Sequence, residues 1–127
     1  MKNDICPFRL FIYTGNSMLL TFEPEDKLIC KRYSSSMQIS IGDVIIYSAN
    51  DKVVAHRVVW KARQKIFTRG DNNLTFMDSE AVSFHQIYGK VVSYVRQGLY
   101  YRFDSSITVL LKTLVKFFFK RFTARKI

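Results

Sequence analysis

The sequence predicts a mainly β domain followed by a C-terminal amphipathic helix. Short runs rich in β-branched and aromatic residues, broken by Gly, Asp and Asn, fill residues 8 to 95. From Ser105 the apolar residues follow a helical pattern instead. A length of 127 residues suits one core, and 48% hydrophobic with 24% charged residues fits a packed domain and argues against disorder. The expected organisation is therefore a β domain over 1–104 and a basic helical tail over 105–127.

Strands are predicted near 8–13, 27–31, 44–47, 53–60, 65–68 and 87–95. Gly42-Asp43, Gly70-Asp71-Asn72-Asn73 and Gly89 supply the breaks, since these residue types tolerate the backbone angles of turns. Tyr33-Ser34-Ser35-Ser36 reads as a polar loop. Strand alternation over 53–60 puts His56 on one face with Val54, Val58 and Trp60. In the tail, Ser105 or Ser106 is the expected N-cap. Lys112, Lys116 and Lys120 recur every four residues along one side, and Leu110, Leu114, Phe117 and Phe118 lie among the apolar remainder.

The net charge of +10 suggests nucleic acid until it is divided along the chain. Fourteen basic and ten acidic residues leave +4 over 1–104, and six basic residues with no acid supply +6 over 105–127. The tail interleaves its charges with aliphatic residues and phenylalanines, and an RNA-binding tail would carry more arginine and glycine than its Arg121 and Arg125. It is therefore expected to lie in the plane of an anionic membrane surface through Lys112, Lys116 and Lys120, with no specific nucleic-acid partner. A helix this short, with lysines along its length, is not expected to span the bilayer. The opening MKNDICPFRLFIYTG is interrupted by Pro7 and Arg9 and predicts neither a secretory signal nor a membrane span, giving a peripheral membrane or cytoplasmic location. Cys6 and Cys30 have neither metal-ligand nor redox spacing, and their pairing is left open.

Three segments hold groups capable of chemistry: Gly15-Asn16-Ser17-Met18, Ala55-His56-Arg57-Val58, and Thr68-Arg69-Gly70-Asp71-Asn72-Asn73 with Asp78 downstream. A serine hydroxyl is a weak nucleophile until a base takes its proton, and imidazole titrates in the range where such a base works. A carboxylate on the second ring nitrogen fixes the tautomer and stabilises the imidazolium formed during attack. Ser17 and His56 are thus the candidate nucleophile and base, with Asp71 and Asp78 both open as the orienting acid. Each has a plainer reading as turn former, packed histidine or cap.

In order, these segments, with Gly42-Asp43-Val44 and Tyr88-Gly89-Lys90-Val91-Val92, resemble the signal peptidase family in its endoplasmic-reticulum-type branch. The likeness runs from about residue 14 to residue 95. It implies a signal-peptidase-like β-barrel or complex-β domain and a serine endopeptidase that cuts a signal- or leader-like peptide after small residues. It further implies Ser17 as nucleophile, His56 as base, Asp78 or Asp71 as orienting acid, the Ser17 N–H as an oxyanion donor, and no metal or organic cofactor. The expected partners are a peptide or preprotein substrate and a membrane-anchored subunit replacing the family's N-terminal helix.

The chain departs from the family pattern at Leu20, where proline is usual, and at Glu25-Asp26, where Gly-Asp is usual; Asn16 also differs. Two rival readings follow. One is a self-cleaving repressor-type protein, which would use a lysine base. The other is a catalytically silent module docking on membrane or RNA through its tail.

Overall fold

Val44-Ile45-Ile46-Tyr47 offers no charged residue to turn outward, so a strand made of it must be covered on both faces. The computed structural model, which describes residues 6–103, does this with β3 (Val44–Ala49). Val44 and Ile46 enter one core with Met18, Phe22, Leu28, Cys30 and Val91, while Ile45 and Tyr47 enter a second with Ile39, Val58, Ile66 and Val82. Burying β3 twice makes it the partition between two cores.

The other strands are β1 (Phe8–Ile12), β2 (Lys27–Lys31), β4 (Lys52–Ala62), β5 (Lys65–Arg69), β6 (Val82–Ser83), β7 (Ile87–Arg96) and β8 (Leu99–Arg102). They form one antiparallel sheet in the order β1-β2-β7-β3-β4-β5-β6, with β8 paired to β7 beside this path. The hydrogen-bonded path thus runs from β1 at one end to β6 at the other. Single-turn 310 helices occupy Ser36–Gln38 and Phe84–Gln86, the first where a polar loop is predicted.

The six predicted strands are all present, and two more were not predicted. Strand β6 has two residues, too few to show a period. Strand β8 follows a two-residue turn, Gln97-Gly98, whose φ of 53° and 79° suit the right-handed twist of a hairpin. Gly98 carried that signal in the sequence. Alternation along β4 also breaks: a bulge between Val58 and Trp60 shifts the pairing with β5 by one residue. Trp60 is consequently 55% exposed and leaves the His56 face, while Lys61 turns inward to the carbonyls of Ser36 and Ile39. Cys6 is exposed and Cys30 buried; both are free thiols, and burial pushes the Cys30 thiol up to about 12 against a small opposing effect of Arg9.

The helix predicted over 105–127 lies outside the described residues. Among those described, no helix is long and apolar enough to cross a membrane.

Between β1 and β2 the chain makes a tight turn at Glu23-Pro24-Glu25-Asp26, closed by the Asp26 N–H donating to the Glu23 carbonyl at 3.0 Å. Proline in the second position and a φ of 80° at Glu25 in the third are the marks of a type II turn, which favours glycine at the third. The family-like Gly-Asp pair would suit this geometry, and Glu25 occupies it under strain. Arg96 holds the turn with three hydrogen bonds to Asp26. Burial alone would raise the Asp26 carboxyl; the Arg96 bonds and the Glu23 N–H hold it lower. Glu25→Gly is expected to stabilise the protein by about 0.5–1 kcal/mol, read as a higher urea midpoint with unchanged slope.

Candidate active site

Ser17 sits in a coil of turns between β1 and β2, and the residue after it fixes its place. Met18 is fully buried. Its N–H donates to the Tyr13 hydroxyl at 2.7 Å, its carbonyl accepts from the N–H groups of Thr21 and Phe22, and its sulfur faces the Asp71 N–H at 3.2 Å. With Met18 locked, Ser17 stays half-buried at the surface end of the same coil.

A second loop docks against this coil. The Asn72 N–H donates to the Ser17 carbonyl at 2.7 Å, and the Asn72 side-chain amide donates to the Asn16 carbonyl at 3.0 Å. The approach requires glycine at position 70, where an added Cβ would lie 2.8 Å from the Ser17 carbonyl oxygen and 2.9 Å from the Ser17 Cβ.

His56 reaches Ser17 from β4, where it pairs with Ile45 of β3. Its Nε2 lies 3.2 Å from Ser17 Oγ, and its Nδ1 lies 2.6 Å from Asp78 Oδ2. Asp78 is held by its own N–H, which donates to the Thr68 carbonyl at 2.6 Å, and by the Thr68 hydroxyl, which donates to Oδ2 at 2.7 Å. Burial alone would raise the Asp78 carboxyl. Hydrogen bonds from His56 and Thr68 and the positive charge of Arg69 outweigh it and hold the group below the usual carboxylate range. An ionised Asp78 can only accept, so His56 Nδ1 carries a proton towards it and Nε2 faces Ser17.

The two candidate carboxylates separate. Asp71 faces away from His56 and forms a fork with Arg57: Nε to Oδ1 at 2.9 Å and a terminal nitrogen to Oδ2 at 2.8 Å, with both side chains at most 1% exposed. The Thr21 hydroxyl also donates to Asp71, and the remaining Arg57 nitrogen donates to the Gly42 carbonyl at 2.8 Å. Ser17, His56 and Asp78 come together; Asp71 braces the loops around them.

In the sequence Arg57 and Thr68 stand only as parts of motifs and Tyr47 only as the end of a predicted strand. Their contacts depend on strand register, which composition does not display. Leu20 is 38% exposed, and neither it nor Glu25 touches the Ser17–His56 hydrogen bond.

A groove of about 470 Å³ opens beside Ser17 and His56, with walls from Phe11 to Gly15 on one side and Val53 to Ala55 on the other. β4 bonds β3 through residues 52–57 but meets β5 from Arg57 onward, so among the described residues its second edge at 52–56 is unpaired along this groove. Among the same residues, no three His, Cys, Asp or Glu side chains gather as metal ligands. A scan against protein-family models and a search of curated proteins return no match.

Asp71→Asn is expected to cost about 3–5 kcal/mol, because it leaves Arg57 buried without its counter-charge. Asp78→Asn should cost less and in a pH-dependent way. The folded carboxyl is lowered, so its contribution is complete above the unfolded value near about 3.9 and disappears as pH falls through the lower folded value. Denaturation of both variants at neutral and strongly acidic pH checks this: the gap between wild type and Asp78→Asn closes in acid.

Proposed function

We propose that this chain is a serine peptidase of the signal-peptidase kind. The observation that carries the reading is one hydrogen-bonded chain, Ser17–His56–Asp78, drawn from residues 39 and 22 positions apart in sequence. The sequence resemblance named the same residues in the same roles, leaving only the acid open between Asp71 and Asp78.

In this mechanism a peptide lies extended in the groove and hydrogen-bonds to the unpaired edge of β4 at 52–56. Ser17 Oγ attacks the carbonyl carbon as His56 Nε2 takes the hydroxyl proton, and Asp78 stabilises the resulting imidazolium. The Ser17 backbone N–H donates to the oxyanion. Collapse of the tetrahedral intermediate breaks the C–N bond, and Nε2–H returns its proton to the leaving amine. Water, activated by the same nitrogen, then hydrolyses the acyl-enzyme. Histidine in the base position argues against the lysine-dependent self-cleaving reading.

Ser17→Ala and His56→Ala are each expected to lower kcat on an Ala-x-Ala peptide by about 10⁴–10⁶-fold, and the double variant should be little worse than either. Covalent labelling by a serine-directed fluorophosphonate should occur in the wild type and vanish in Ser17→Ala. Absence of both turnover and labelling in folded wild-type protein would sink the peptidase reading.

The basic segment 105–127 brings the enzyme to the surface where its substrates enter or leave the bilayer. Each lysine near anionic lipid contributes about 1 kcal/mol, so replacing Lys112, Lys116 and Lys120 together by Glu should abolish salt-sensitive co-sedimentation with anionic vesicles. Equal pelleting of the variant and the wild type would remove this role.

A further inference from the structure

Behind Asp78 lies a buried hydroxyl pair that the mechanism above does not use. Tyr47 is 5% exposed and Thr68 fully buried; the Tyr47 hydroxyl lies 3.2 Å from Thr68 Oγ1 and 3.4 Å from His56 Nδ1. Two strands deliver them to one face. Tyr47 stands two residues from Ile45, the cross-strand partner of His56, and Thr68 of β5 pairs with Val58, two residues from His56 on the other side.

The donors in this cluster can be ordered from chemistry alone. The Asp78 carboxylate only accepts, and its Oδ2 receives both His56 Nδ1–H and the Thr68 hydroxyl proton. Thr68 has one proton and has given it away, so its oxygen must accept from Tyr47. The sequence of donation is Tyr47 to Thr68 to Asp78, and the carboxylate at its end, with no proton to give, can face His56 only where Nδ1 carries one. Burial raises the Tyr47 phenol despite its bond to Thr68, and the Asp78 charge adds to the rise, so the hydroxyl keeps the proton it must donate.

We propose that Tyr47 and Thr68 are positioning residues that act in series on Asp78 to hold His56 with its proton on Nδ1 and its Nε2 free for Ser17. The proposal rests on the peptidase reading for its catalytic consequence, but the hydrogen-bond order exists in the resting protein and can be read without turnover.

The test uses full-length protein and two readouts. The first is the low-field proton resonance of His56 Nδ1–H, separated from the other histidine by a His85→Gln variant. In Tyr47→Phe and Thr68→Val it should move downfield, because Oδ2 loses or weakens a competing donor, and exchange faster with water as Asp78 loses its tether, whereas Thr68→Ser, which keeps the hydroxyl, should retain it. Because Tyr47 acts through Thr68, the variant carrying both Tyr47→Phe and Thr68→Val should move no further than Thr68→Val alone. The second readout is kinetic: Tyr47→Phe should lower kcat by about 3- to 10-fold, with KM unchanged.

No such resonance in the wild type, an unmoved resonance in folded Tyr47→Phe, or additive effects of the two substitutions would each overturn the proposal. If Thr68→Val fails to fold, Tyr47→Phe and Thr68→Ser still decide it. Resonance shifts as expected in a protein that is never acylated would leave the relay standing and defeat the peptidase reading; normal acylation with an unmoved resonance would do the reverse.

Discussion

The buried fork between Arg57 and Asp71 is the constraint on which the site depends. Taking a guanidinium and a carboxylate out of water costs several kcal/mol for each ion, and the cost is offset only when every donor finds an acceptor. Here Arg57 bonds both Asp71 oxygens and the Gly42 carbonyl, and Thr21 adds a further donor to Asp71. Those partners belong to the turn before β3, the coil that bears Ser17 and the loop that begins at Gly70. One side chain of β4 thereby fixes three separate segments against one another.

Two aspartates seven residues apart do opposite work because their surroundings differ. Asp71 is almost wholly enclosed and neutralised by a permanent cation. Asp78 keeps 22% of its side chain exposed, and its partner is an imidazole whose charge can change. A permanently paired carboxylate has little left to offer a charge that appears only in a transition state. A carboxylate whose neighbours are His56, Thr68 and a more distant arginine can respond to one.

Much of this was legible in the sequence, and the limits are physical. The strands at 27–31 and 65–69 could be read because turn residues bracket short apolar runs. Ser17 and His56 could be read because few residue types activate a hydroxyl. The choice between Asp71 and Asp78 could not, since one lies in the turn and the other shortly after it, and only the fold decides which one β4 meets with His56 and which with Arg57. Strict alternation puts Trp60 on the wrong face because one inserted residue, Val59, reverses the pattern without any compositional sign. Tyr47 and Thr68 carry no signal of their own, because a hydroxyl on an apolar strand looks like core until its cross-strand neighbours are known.

His56 and Arg57 are adjacent on β4 and point to opposite faces, one to Ser17 and one to Asp71. What decides which residue meets Ser17 is the hairpin tip at Asn50-Asp51, where φ values of 52° and 63° close a two-residue connection and align Ala49 with Lys52. A slip of one position there would exchange the two side chains, offering Ser17 a guanidinium that cannot take a proton and leaving an imidazole to confront Asp71. Two small polar residues at the far end of the strand thus act as a phase lock on the pairing of His56 with Ser17, although neither approaches that contact.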